Sequence, residues 1–191
     1  MAEGITIIIP TIGRETLEQA IGSFIEQMSD RDKAVVIHDG HDEEAQEISA
    51  RIVLQFDDRR FRYLATTHQG HFGHPSRNIV LSSHARTSHV WSLDDDDVAT
   101  PNALAVMREH FDDPWTIFRM HFGANHFANG LTLPSFPRIR HGNLGTPMIF
   151  APRCNARFGH NYSGDFDYAE ELQTELGEPV WSDDIVATIR P

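Results

Sequence analysis

Residues 5–10 read ITIIIP, an unbroken β-branched run closed by a proline. Such a run, with no polar alternation, is what a strand covered on both faces requires. Three further apolar runs follow, AVVIH at 34–38, FRYLAT at 61–66 and HVWSL at 89–93. Helical periodicity fills the intervals. From Arg14 to about Met28, the residues Leu17, Ile21, Phe24, Ile25 and Met28 share one face, and Glu43 to Leu54 and Pro75 to Ala85 read as the next two helices. Strand and helix thus alternate four times, which predicts a mostly parallel sheet with helices on both faces. Thr100-Pro101 reads as an N-cap and a first-turn proline, opening a helix that runs to about Phe111.

Beyond residue 110 the character changes. WTIFRMHF (115–122) and short segments near 131–133 and 147–150 alternate or run apolar between glycine and proline turns. A helix near 165–176 and a last strand, IVATI at 185–189, complete the chain. The expectation is an α/β fold: one Rossmann-like mixed sheet flanked by helices, in a single domain over residues 1–191. Its parallel half, 1–110, would hold a nucleotide, and its more antiparallel, loop-rich half, 111–191, would hold an acceptor.

Charge and cysteine content narrow the chemistry. With 28 acidic against 16 basic residues, the formal charge of −12 argues against a broad nucleic-acid-binding surface. The one cysteine, Cys154, excludes an intrachain disulfide and reads as a small core residue. No apolar run approaches the roughly 20 residues of a membrane span, and MAEGITIIIP carries no basic leader, so the expected location is cytoplasmic.

In open parallel sheets, ligands bind beyond the carboxyl ends of the strands. Pro10-Thr11, Asp39-Gly40 and the run Asp94 to Asp97 all fall there. Asp39 could accept hydrogen bonds from a base or ribose, or simply close a turn. Four adjacent aspartates repel one another unless a cation, water or basic partners relieve them, and magnesium or manganese with a substrate diphosphate would do so. Extended geometry turns Asp94 and Asp96 one way and Asp95 and Asp97 the other, so one pair can face the cleft and the other stay structural. A solvated acidic loop is the plainer alternative.

Arg77, in HPSRN at the start of the third helix, suits a phosphate or base, or a salt bridge. His68, His71 and His74 recur every third residue in a glycine-rich loop; zinc would lack a fourth ligand, so one or two histidines touching substrate is the simpler reading. Asp165 and Asp167 precede a helix carrying Glu170 and Glu171, as caps or as a base. The stretch 123–160 is expected to form the acceptor pocket, with His121, His126 and His141 as candidates to line it.

Taken in order, these residues resemble family 2 glycosyltransferases of the GT-A fold. The resemblance runs from ITIIIPTIGRETLEQAIGSF through VVIHDG to GHPSRNIVLSSHARTSHVWSLDDDDVATPNAL, covering about residues 4–108, and GDFD at 164–167 is similar to the family's late acidic motif. It implies that Thr11 and Asp39 contact the nucleoside and Arg77 the nucleotide, with Pro10, Arg14, Asp94 and Asp95 on the same nucleotide side. It implies Asp94 and Asp96 as metal ligands for Mn2+ or Mg2+, Asp96 foremost. The late motif often has glutamate-aspartate where this chain has Gly164-Asp165, so the base is Asp165 first and Asp167 second.

The implied reaction is inverting transfer of a sugar from a nucleotide-sugar, expected to be a UDP-sugar, to a hydroxyl acceptor of unread class. Two rivals remain: a non-catalytic nucleotide- or sugar-binding module of the same fold, and a nucleotidyltransferase. Against the latter, the first strand leads into PTIGRE rather than a glycine-rich basic loop.

Overall fold

A computed structural model describes residues 3–123, 131–134 and 137–189. Its nine described strands are β1 (Ile5–Thr11), β2 (Lys33–Asp39), β3 (Phe61–Thr66), β4 (His89–Ser92), β5 (Val98–Ala99), β6 (Thr116–Phe122), β7 (Leu131–Leu133), β8 (Ile149–Pro152) and β9 (Val180–Ile189). They form one mixed sheet in the order β3-β2-β1-β4-β8-β6-β9-β5, with β7 beside β6.

All seven residues of β1 are buried, as its unbroken apolar sequence requires. It lies between β2 and β4, parallel to both. The chain winds outward through β2 and β3 on one side, then crosses to place β4 on the other. The β1–β4 boundary is therefore the point where winding reverses, and such a reversal opens a crevice at the carboxyl edge. Thr11 ends β1 and Asp94 follows β4 at that edge.

Five α-helices pack on the sheet: α1 (Leu17–Phe24), α2 (Glu43–Gln55), α3 (His74–Ser83), α4 (Ala103–Glu109) and α5 (Gly164–Leu176). Helix α1 begins at Leu17, the first of its spaced apolar residues, rather than at Arg14, after Gly13 turns the chain at φ +93°. A side chain there would meet Ala45 at 2.6 Å, so the close approach of the turn after β1 to α2 also needs the glycine. The predicted last turn of α1 tightens into a 3-10 segment, Ile25–Gln27. Helix α2 starts where Asp42 accepts a hydrogen bond from the Ala45 amide at 3.1 Å.

Two expectations are corrected, the cap of α4 and the start of β9. Thr100 does not cap α4 through its side chain, because its hydroxyl donates to the Ile185 carbonyl at 2.7 Å and Asn102 holds the cap position. Residues 98 and 99 instead form β5, antiparallel to β9. The second half is the more antiparallel one, as expected: β8 pairs antiparallel with β4 and β6, and β7 with β6, while β6 and β9 run parallel. Strand β9 extends back to Val180, through polar residues that carry no apolar signal.

A buried aspartate outside the predicted sites ties the frame together. Asp32 accepts from the amides of Ile5 at 2.8 Å and Ser29 at 2.7 Å, and pairs with Arg108 of α4. No described helix is long and apolar enough to cross a membrane.

Candidate active site

At the carboxyl edge lies a cleft of about 330 Å³, within the range of small-ligand sites. Thr11 and Arg14 from the β1 end, Asp39 from β2, the loop 68–73 ahead of α3, and Asp94 to Asp96 after β4 line it. Of the predicted nucleotide-side residues, Pro10, Thr11, Arg14, Asp39, Asp94 and Asp95 are thus brought to one cleft.

The aspartate run divides by burial. Asp95 and Asp97 are buried, while Asp94 and Asp96 are partly exposed. Asp95 accepts from the Thr11 hydroxyl at 2.7 Å and from Arg14 at 2.6 Å. It thereby fixes the turn after β1, and Arg14, half exposed, also reaches Asp96 at 3.6 Å. A buried carboxylate keeps its charge only with such partners.

Asp94, Asp96 and Asp97 each offer a carboxylate oxygen, and these oxygens all lie within 4.8 Å of one another. A compact set of hard oxygen donors fits Mg2+ or Mn2+ and gives nothing to a thiophilic ion. Asp97 is an addition to the two predicted ligands; alternation along an ideal strand had turned it away, but residues 94–97 form a turn in which the Asp97 amide bonds the Asp94 carbonyl at 3.1 Å.

Arg77 does not line the cleft. It is fully buried, with its Nε donating to Ser92 Oγ at 2.9 Å, one Nη to the Phe72 carbonyl at 2.8 Å and the other to Asp94. Every arm of the fork is engaged by the protein, so the guanidinium orients Asp94 from behind. Gly73 permits this: a Cβ there would meet Pro10 at 2.9 Å and Arg77 at 3.2 Å.

Asp39 accepts from the backbone amides of Gln69 at 2.6 Å and Gly70 at 3.0 Å, holding the loop that forms one wall of the cleft. His68 and His71 line that wall, whereas His74 turns inward and stacks on Phe158. The three histidines do not converge on one point. Burial and the Arg77 charge push His74 down to about 3, so it is neutral.

The two late aspartates part company. Burial raises the Asp165 carboxyl to about 6 against a bond from the Phe166 amide, and both Arg77 and Asp94 are close enough to act on it. Asp167 instead receives Asn161 at 3.2 Å and lines a separate hollow with Glu170 and Glu171. Two residues along a helix, the pair necessarily points to different sides. His141 stacks on Phe166 at 3.9 Å, beside Asp165; His121 bonds Thr132, and His126 lies outside the described residues. Cys154 is half-buried with its thiol raised by burial, so it offers no reactive thiolate.

Comparison with known proteins follows the same lines. A family profile described as Glycosyl transferase family 2 matches residues 6–157. Among solved structures, S. aureus TarS 1-349 superposes with a TM-score of 0.75 at 16% identity, over 100% of this chain and 60% of that one. Its complex with UDP-GlcNAc gives 0.75 at 14% identity, over 100% and 59%. The mannosyltransferase PcManGT from Pyrobaculum calidifontis, in complex with GDP-Man and Mn2+, gives 0.71 at 16% identity, over 98% and 57%. The chain therefore spans about three-fifths of the length of these structures, and at such identities they establish the GT-A type of fold. No curated protein matches the sequence significantly.

Proposed function

This chain belongs to glycosyl transferase family 2, and from that premise we propose that it is an inverting glycosyltransferase acting on a nucleotide-diphosphate sugar, with a UDP-sugar as donor. The observation that carries the reading is the convergence of Thr11, Arg14, Asp39 and Asp94 to Asp96 on one cleft at the sheet's switch point. The relatives of like fold solved with UDP-GlcNAc, or with GDP-Man and Mn2+, support a nucleotide-sugar in that cleft.

Asp94, Asp96 and Asp97 would hold a divalent ion, which when bound supplies positive charge against the departing diphosphate. Arg14, at the same rim, adds a fixed cation on the phosphate side. Asp165 serves as general base. The acceptor oxygen forms its bond to the anomeric carbon as the bond from that carbon to the diphosphate breaks, and the acceptor proton passes to the Asp165 carboxylate. Attack opposite the leaving group inverts the configuration. A carboxyl near 6 is a better proton acceptor than one near 4 and is still ionised at neutral pH, which suits the role. Positioned general bases contribute about 10²- to 10⁴-fold.

The direct test is thermal stabilisation of the purified chain by a panel of UDP-, GDP- and dTDP-sugars, with and without Mn2+. The reading requires metal-dependent stabilisation by at least one member. Equal, metal-independent responses to every nucleotide would count against it.

A further inference from the structure

Two loops meet at the mouth of the cleft, residues 68–74 leading into α3 and residues 158–163 leading into α5. Ring contacts join them: His74 stacks on Phe158 with centroids 5.4 Å apart, His71 meets His160 edge-on at 5.9 Å, and Phe72 meets Tyr162 edge-on at 5.1 Å. The first pair is buried, and ordinary core packing accounts for it. The last is not. Phe72 is 64% exposed and Tyr162 79% exposed, so two large rings stand together in water.

The backbone makes this arrangement harder to dismiss. His71 and Phe72 both adopt left-handed geometry, at φ +51° and +58°, which residues with side chains disfavour. Gly70 and Gly73 bracket them at φ +65° and +74°, and Arg77 anchors the Phe72 carbonyl. The fold accepts strain that presents an apolar ring to solvent rather than burying it. Phe72 lines the donor cleft, and Tyr162 lies three residues before Asp165. The ring pair thus bridges the loop beside the proposed donor and the loop that delivers the proposed base, where an acceptor has to lie.

We infer that Phe72 and Tyr162 form the acceptor platform, and that the acceptor presents a carbohydrate ring. The inference rests on the transferase reading above. A pyranose has an apolar C–H face that packs on aromatic rings and a rim of hydroxyls. Here the Tyr162 hydroxyl and the imidazoles of His71 and His160 border the platform and can meet that rim. A small alcohol has no use for two rings. A polyphosphate acceptor is opposed by a formal charge of −12 and by the carboxylates of the cleft.

The test is saturation-transfer NMR on the full chain with four probes: methyl β-glucoside, methyl β-galactoside, methyl α-mannoside and methyl N-acetyl-β-glucosaminide. Irradiating aromatic resonances should saturate the C–H protons of at least one. Tyr162→Ala should weaken that glycoside about fivefold, Tyr162→Phe should retain it, and UDP affinity with Mn2+ should be the same in all three proteins. If the pair is only a latch between loops, Tyr162→Ala will lower UDP affinity and Tm together and leave glycoside contact in proportion, which overturns the inference. So does the absence of contact with any glycoside, or contact insensitive to Tyr162→Ala. UDP binding without glycoside contact overturns this inference alone. Glycoside contact without UDP binding overturns the transferase reading and the acceptor role with it.

Discussion

Arg77 is ion-paired with Asp94 from beneath the cleft, while the same guanidinium holds Ser92 Oγ at 2.9 Å and the Phe72 carbonyl at 2.8 Å. One buried side chain thereby sets the end of β4, the first aspartate of the acidic run and the wall of the donor site. Lysine cannot make this three-way fork. Arg77→Lys should destabilise the fold by about 2–4 kcal/mol, measured by urea unfolding, because a fully buried ammonium cannot serve Ser92 Oγ, the Phe72 carbonyl and Asp94 at once. UDP affinity with Mn2+ should also fall at least about tenfold, as Asp94 and the 68–73 loop lose their support.

Asp96 is partly exposed and reaches Arg14 only at 3.6 Å, where Asp95 takes the closer bond at 2.6 Å. Asp96→Ala should abolish the Mn2+-dependence of nucleotide binding while changing stability by less than about 1 kcal/mol. Titration of UDP with and without EDTA reads the first, and urea unfolding the second. Unchanged metal-dependent binding in Asp96→Ala would move the ion elsewhere.

Asp95 should behave differently. It is buried against the Thr11 hydroxyl and Arg14, so Asp95→Ala takes the acceptor from Thr11 and leaves Arg14 only its longer contact to Asp96. A loss of about 2–4 kcal/mol in stability is expected, with nucleotide affinity falling because Thr11 and Arg14 move. Calorimetric unfolding beside UDP titration separates the two effects.

The same division shows how much of the site the sequence made legible. Adjacent aspartates after a buried strand raise the expectation of a metal and diphosphate, and they alternate in burial even though residues 94–97 form a turn rather than a strand. The four strands of the first half were equally plain, because each carries its own apolar run. What escaped depends on distant partners. The β6–β9 parallel pairing and the polar stretch 182–184 inside β9 have no local signal. Arg77 in HPSRN looks the same whether its fork meets a ligand or, as here, Ser92 and Asp94. The left-handed turn at His71 and Phe72 was hinted at only by the glycines on either side.

Asp165 gives a prediction of opposite sign on two readouts. Burial raises its carboxyl from 3.8 to about 6 in the folded chain. Between those values the folded state holds a proton that the unfolded state has lost, so this group's stabilisation is full below about pH 4 and lost as pH rises through about 6. Asp165→Asn removes the penalty of an ionised, partly buried carboxyl. At pH 7.5 it should raise stability by about 1–2 kcal/mol, a figure discounted for the group's residual exposure, and do nothing at pH 4. Donor binding should survive and transfer should fall about 10²- to 10⁴-fold. In the wild type, transfer should decline as pH drops below about 6. Asp167→Asn, on a separate surface, should change transfer by less than about threefold.

The central claim is that the cleft activates a nucleotide-sugar for inverting transfer. The most direct measurement follows hydrolysis of UDP-glucose, UDP-galactose, UDP-N-acetylglucosamine and GDP-mannose by the purified chain with Mn2+, reading the first-formed anomer by proton NMR. The account predicts slow, EDTA-sensitive release of one sugar with inverted configuration, absent in Asp96→Ala and strongly reduced in Asp165→Asn. Saturable nucleotide binding with no release from any donor, or release with retained configuration, would contradict it.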